Sequence, residues 1–419
     1  MKKIAEIRND FPMIENNKKI IFFDNASTSF KPNCVIESMN NYYTKCSVNS
    51  QRGDYKLSYK VDDYIEKCRQ HVADFISATN KEEIVFTSGA THSLNLVIRG
   101  FLKKLLNQGD QVLTTIAEHA SCILPLMEIT EETKSEIRYI PLKNNGDFEL
   151  ENLKVLLNDK VKAIVIAQVS NVLGYEIPVK DICKIAHEKG IIVIVDGAQS
   201  VPHQAINVRD IDCDFLAFSC HKMCGPTGLG ILYGKKKHLN KMNPVFFGGG
   251  SNVNYYENGD VYLKNAPYKF ESGTMPIAEI IGFDKALSFL ESIGMNEIKK
   301  YEEELKKYAV KNLKKIEGIN IYNEESLSPI ITFNFKGMYA QDIGKWFDYN
   351  NICVRTGQHC SRLLSSLFGT NSTLRVSLYF YNTKSEIDYF IDVCKKTSKE
   401  KVYNYIFKIK EKRRRNEQN

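Results

Sequence analysis

No apolar run in the 419-residue sequence approaches the roughly 20 residues needed to cross a bilayer, so no membrane span is expected. The opening stretch, Met1 to Asp10, carries Glu6 and Asp10 and lacks the apolar core of a secretory leader, so no signal peptide is expected either. The 11 cysteines show no even spacing and no C-x-x-C pair, which excludes a secreted disulfide framework. Cys213, Cys220 and Cys224 lie near His221, but a strand-like run separates Cys213 from the other two. Small buried hydrophobes are their expected role, and no metal site is expected. A reducing cytoplasmic setting is the expectation that follows. Internal repeats and low-complexity linkers are missing. The one cationic cluster of note is Lys412-Arg413-Arg414-Arg415. The net charge of +7 is otherwise scattered among acids, and no aromatic or groove-reading motif accompanies the cluster. A disordered basic tail is expected, with no nucleic-acid partner.

What is present is an ordinary globular balance, 43% hydrophobic and 26% charged, enough to bury a full core. The length suits one large α/β domain with a smaller companion. Roughly the first 60 residues read as an irregular arm with a short strand at 20–23, followed by an amphipathic helix near 62–77. β-branched runs then alternate with helices: 84–87, a helix from about Ser93, 111–115, 163–167, a helix near 180–188, 191–195 and 215–218. That pattern predicts a mostly parallel, doubly wound sheet covered on both faces. From about Ile280 the texture changes to long charged helices, strands at 330–335 and 375–379, and helices near 340–349 and 384–398. These predict a small α+β domain. The expected division is an arm over 1–20 belonging to the small domain, a large domain over 21–280, a small domain over 281–405 and a tail over 406–419.

In an open parallel sheet ligands bind at the carboxyl ends of the strands, so the polar residues after each apolar run carry the chemistry. They are Thr87-Ser88-Gly89-Ala90-Thr91, Glu118-His119, Ser170-Asn171, Asp196-Gly197-Ala198-Gln199 and Ser219-Cys220-His221-Lys222. A lysine that forms a Schiff base must lose its charge, which burial near cations promotes. A pyridinium nitrogen needs a carboxylate, and Asp196 ends a very apolar run. A phosphate needs backbone N–H groups at a helix start plus hydroxyls, which Ser88 to Thr91 offer. Each piece alone is ordinary turn or surface sequence; their succession at five strand ends is not.

In these segments, and in Val169-Ser170-Asn171-Val172-Leu173-Gly174, Gly225-Pro226-Thr227-Gly228 and Arg355-Thr356-Gly357-Gln358-His359-Cys360, the chain resembles the cysteine desulfurases of the class V aminotransferase family, and their SufS-like branch most closely. The resemblance runs from Phe23 to Thr383. It implies the fold type I of pyridoxal-phosphate enzymes, with pyridoxal 5'-phosphate held on Lys222. It further implies that Asp196 pairs with the ring nitrogen, His119 stacks on the ring as an acid/base, and Gln199 bonds the ring oxygen. Ala90, Thr91, Ser219 and His221 would hold the phosphate, with Thr274 supplied by the partner subunit of a homodimer. Asn171, Arg375 and Arg355 would bind the substrate, L-cysteine.

Cys360 separates a desulfurase from a transaminase. Its thiolate is the useful form, and the neighbouring Arg355 and His359 are expected to favour it. Arg375 follows 15 positions after Cys360, a short spacing that resembles the SufS-like branch. Lys222 would then remove the Cα proton and Cys360 would take the sulfur as a persulfide, leaving alanine. A sulfur acceptor of the SufU or SufE kind, and iron–sulfur assembly or tRNA thiolation downstream, are implied by the family. The same residues leave open a selenocysteine lyase, or a class V aminotransferase or lyase for another amino acid. Five positions depart from the family pattern: Gln51, His92, Cys122, Gln168 and Gln358, where histidine, glutamate, asparagine, histidine and histidine are common.

Overall fold

The computed structural model describes residues 4–51 and 53–407, so Arg52 and the basic cluster 412–415 lie outside the described residues. Seven strands form the main sheet: β1 (Ile84–Thr87), β2 (Gln111–Thr114), β3 (Glu136–Tyr139), β4 (Val161–Ala167), β5 (Ile192–Asp196), β6 (Phe215–Ser219) and β7 (Gly230–Gly234). Their order across the sheet is β1-β7-β6-β5-β4-β2-β3, and only β7 runs antiparallel to its neighbours. Period-two alternation divides the side chains between two cores. Ile84, Phe86, Ile164, Ile166, Val193 and Val195 enter one core, while Val85, Ala163, Val165 and Ile194 enter the other. Each fully buried side chain of this size contributes about 1.5–3 kcal/mol, so neither face can be left uncovered. The expected mostly parallel sheet, covered on both faces, is the one observed.

A second sheet of four antiparallel strands, β8 (Ile319–Ile321), β9 (Ile330–Phe335), β10 (Arg355–Gly357) and β11 (Thr373–Ser377), has the order β8-β9-β11-β10. Its core holds Phe333, Phe347, Leu374, Val376 and Phe390, and Ile406 joins it. The two-residue strand Ile21–Phe22 pairs with Ile352–Cys353, and Asp24 bridges to Ser377, so the segment before the main sheet enters the site from the second sheet.

Two expectations need correction. The first 60 residues are not irregular: they contain helix α1 (Asn33–Lys45), and helix α2 (Lys56–Phe75) begins before residue 62. α1 buries only Val35 and Tyr42, seven residues apart on one face, too sparse a stripe for the periodicity to register. The long charged helices expected from about Ile280 are two helices of opposite character. Ile277–Ile293 is apolar and packs between α1 and α2 in the main core, and Met295–Leu313 is the charged one. Gly294, at φ +94°, makes the break between them.

One buried ion pair ties α2 to the segment Glu271-Ser272-Gly273-Thr274. Arg69 Nη1 and Nη2 donate to the two oxygens of Glu271 at 2.6 and 2.8 Å, and the backbone N–H of Phe86 donates to the same carboxylate at 2.8 Å. Both side chains are almost wholly shielded from water. Arg69→Met strands the Glu271 carboxylate and is expected to destabilise the chain by about 3–5 kcal/mol, read as a lower urea midpoint at unchanged slope. A midpoint within error of the unsubstituted protein would show that the pair is not structural.

Candidate active site

The carboxyl ends of β1, β2, β4, β5 and β6 open on one cavity of about 210 Å³, lined by Ala90, Thr91, His119, Asn171, Asp196, Gln199, Ser219, His221, Lys222, Arg355 and Arg375. Eleven of the sequence-derived residues therefore meet in one place. Cys360 stands exposed beside it, and Thr274 lines an adjoining open cavity that shares Ala90, Thr91, Ser219 and His221.

After β1 the chain turns through Gly89, at φ +151°, into a helix over Ala90–Val97. Gly230 on β7 lies directly against that turn, where a Cβ would come within 2.3 Å of the Gly89 Cα. Close backbone approach thus presses the turn onto the sheet, and the helix start faces the cavity. The backbone N–H of Ala90 donates to Ser219 Oγ at 2.8 Å, joining the ends of β1 and β6.

Asp196, the last residue of β5, is buried. Its Oδ1 accepts from the Ala198 N–H at 2.9 Å, and the Cys122 thiol donates to Oδ2 at 3.8 Å. Gln199 donates from Nε2 to the Ala26 carbonyl at 2.8 Å. Lys222 sits in the single 3₁₀ turn after β6. Burial pulls its pKa down to about 8; Arg375 and Arg355 push the same way, and Asp196 opposes them. His221 is pulled down to about 4 by burial, then by Lys222 and Lys31, so it is a neutral imidazole near pH 7.

His119 caps the helix Ala120–Thr133. Its Nδ1 accepts from the Ser121 N–H at 3.1 Å and lies 2.9 Å from Ser121 Oγ, which in turn lies 2.7 Å from Thr91 Oγ1. Burial lowers its pKa, Lys222 adds to that, and Asp196 works against it.

Arg355 and Arg375 are direct partners across β10 and β11, so two guanidinium groups leave the same face of the second sheet. Ser27 Oγ accepts from both, at 2.6 Å from Arg355 Nη1 and 3.0 Å from Arg375 Nη2, and donates to Asp24 Oδ1 at 2.7 Å. Asp24 also accepts from Arg375 Nη2 at 2.9 Å. The other nitrogen of the Arg355 fork, Nη2, donates to Cys360 Sγ at 3.5 Å. The carbonyl of Cys360 accepts from the Ala120 N–H at 2.8 Å, so this loop sits on the helix start that His119 caps.

His359 does not assist Cys360, contrary to expectation. Its ring is buried with Nε2 2.9 Å from Thr373 Oγ1, and burial, Arg375 and Arg355 bring its pKa down to about 3. Of Arg355 and His359, the arginine alone reaches the sulfur. Asn171 also has a more local engagement than expected: Nδ2 donates to the His359 carbonyl at 2.8 Å and Oδ1 accepts from Ser361 Oγ at 2.9 Å, clasping the residues on either side of Cys360. Gln358 is exposed, and Gln168 is buried.

Asp24, Ser27 and Ser121 belong to the site and were not singled out. Asp24 and Ser27 follow no strand of the main sheet, so the strand-end rule does not reach them. Ser121 lies two residues beyond a singled-out histidine, and nothing but its hydroxyl marks it. Lining residues also carry buried polar atoms without partners among the described residues, namely Gln199 Oε1, His359 Nδ1 and Arg375 Nε. With a helix start for phosphate, a carboxylate for a ring nitrogen and a lysine of lowered pKa, the donor set fits pyridoxal phosphate. Among the described residues no group of histidine, cysteine, aspartate and glutamate side chains could hold a metal ion, and no helix is long and apolar enough to cross a membrane.

Comparison with known proteins agrees with this geometry. The chain matches the class V aminotransferase family over residues 21–390. It is 40% identical over 405 residues to a probable cysteine desulfurase of Halalkalibacterium halodurans, covering 96% of this chain and 99% of that one. It is 38% identical over 399 residues to another from Synechocystis sp., covering 92% and 94%. A cysteine desulfurase structure from Thermococcus onnurineus superposes with a TM-score of 0.90 at 34% identity, over 94% of this chain and 98% of that one. The cysteine desulfurase CsdA of Escherichia coli gives 0.87 at 30%, again over 94% and 98%. The chain belongs to the class V aminotransferase family, among its pyridoxal-phosphate-dependent cysteine desulfurases.

Proposed function

We propose that Cys360 receives the sulfur of L-cysteine, and that the arginine pair Arg355 and Arg375 arranges both the substrate and the nucleophile. The observation that carries this reading is the Arg355 fork, with one nitrogen on Ser27 beside Arg375 and the other on Cys360 Sγ. Arg375 binds the substrate carboxylate, and a charge-assisted pair of this kind fixes the Cα–H bond relative to Lys222. Ala90, Thr91, Ser219 and His221 hold the cofactor phosphate, Asp196 holds the proton of the ring nitrogen, and Gln199 meets the ring oxygen. Bound there, pyridoxal phosphate supplies a sink for the electron pair left at Cα. Lys222 Nζ, once free of the cofactor, takes the Cα proton, which requires the neutral amine that burial favours. His119 presents Nε2 to the cavity as a hydrogen-bond donor.

The Cys360 sulfur then attacks the substrate sulfur. A sulfur–sulfur bond forms and the Cβ–S bond breaks with its electron pair left on Cβ; protons delivered to Cβ and returned to Cα complete alanine, and Cys360 carries the persulfide. The exposure of Cys360 supports onward transfer to a small acceptor protein of the SufU or SufE kind, as expected of the SufS-like branch, supplying iron–sulfur assembly in the cytoplasm. A homodimer is proposed as well, with Thr274 completing the partner's phosphate site. The exposed Phe246, which lines that adjoining cavity, supports an apolar cover there.

Mass spectrometry after exposure to cysteine is expected to find one added sulfur on Cys360 and none in Cys360→Ala. A persulfide on another cysteine, or full alanine production by Cys360→Ala with an acceptor present, would sink the assignment. Arg375→Lys keeps the charge but loses the fork, and is expected to raise the KM for cysteine by about 10- to 100-fold, the equivalent of one charged hydrogen bond. For Lys222 the sign is set by its neutral form, which dominates above its pKa. Capture of pyridoxal phosphate by the cofactor-free chain should therefore speed up by about tenfold per pH unit towards pH 8 and level off above it. A rate still climbing at pH 10 would place the amine in an ordinary environment.

A further inference from the structure

Ser121 is buried, contacts two residues of the site, and has no part in the reaction as described. Its backbone N–H points at His119 Nδ1, and an N–H group cannot accept. Nδ1 must therefore offer its lone pair, and the neutral ring carries its proton on Nε2. The Ser121 hydroxyl lies within hydrogen-bond distance of the same Nδ1 and of Thr91 Oγ1.

Two hydroxyl protons remain to be placed, one on each oxygen. In one arrangement Thr91 donates to Ser121 and Ser121 donates to Nδ1, so two donors share a single lone pair. In the other, Ser121 donates to Thr91, which frees the Thr91 proton to point outward and leaves Nδ1 to the backbone N–H alone. An ionised phosphate oxygen only accepts, so an anion beside Thr91 stabilises the second arrangement.

We propose that Ser121 is a positioning residue that holds His119 in its Nε2–H tautomer and couples it, through the Thr91 hydroxyl, to occupancy of the phosphate site. This rests on the reading that Thr91 meets the cofactor phosphate and that His119 faces the ring. Filling the phosphate site withdraws one donor from Nδ1, so the histidine responds to the far end of the cofactor without touching it. The backbone N–H does the tautomer locking, and the hydroxyl does the coupling.

The two roles separate in one experiment. Chains labelled with ¹⁵N-histidine are compared with and without pyridoxal phosphate as the unsubstituted protein, Ser121→Ala and Ser121→Thr. All three are expected to show an unprotonated Nδ1 and a protonated Nε2 on His119. The cofactor-induced shift of Nδ1 is expected to lose at least half its size in Ser121→Ala and to return in Ser121→Thr. An equal shift in Ser121→Ala, or a neutral ring protonated on Nδ1, would overturn the proposal while leaving the placement of His119 intact. No response of His119 in any of the three would overturn that placement and the proposal together.

Discussion

Two guanidinium groups held side by side set the terms for the rest of this site. Arg355 and Arg375 face each other across adjacent strands, an arrangement that costs free energy unless something compensates the like charges. Asp24 and Ser27 supply the compensation, and neither comes from the second sheet. They arrive on the chain segment that pairs with Ile352–Cys353 before crossing to the main sheet. That connection does more than tether. It fills the space between the cations with a carboxylate and a shared hydroxyl, and so leaves a pocket that favours anions.

The positive field acts on three titrating groups of the site. Lys222, His119 and His359 are all lowered by burial first, and in each the arginines push further in the same direction. For Lys222 this yields an amine that loses its proton near pH 8, as the proposed base and cofactor anchor requires. For His359 it yields an inert ring packed on Thr373. Asp196 opposes the shift on Lys222, so the lysine feels one negative group against two positive ones. A few ångströms decide which residues become reactive.

The main sheet was legible because continuous β-branched runs mark parallel strands buried on both faces. The rule that ligands gather at strand ends then located Thr91, His119, Asn171, Asp196 and Lys222 without reference to any relative. Two kinds of feature escaped. α1 buries too few residues to leave a periodic trace, and its place is set by the apolar helix Ile277–Ile293 packed against it. Asp24 and Ser27 act through contacts more than 300 positions away in the chain, which no local pattern encodes. His359 shows the opposite failure. Adjacency in sequence suggested help for Cys360, but the backbone turns its ring away from the sulfur.

That turn explains how Cys360, in the loop after β10 of the second sheet, reaches a site built on the first. His359 and Cys360 both have positive φ, +52° and +60°, a conformation that costs about 1–2 kcal/mol for each residue with a side chain. Four hydrogen bonds offset the cost: Ala120 to the Cys360 carbonyl, Asn171 to the His359 carbonyl, Ser361 to Asn171, and His359 to Thr373. Three of the four involve Ala120 or Asn171, and both of these follow strands of the main sheet. The loop is therefore held by the surface it must reach, and the sulfur can remain exposed to an acceptor without drifting from the arginine that attends it.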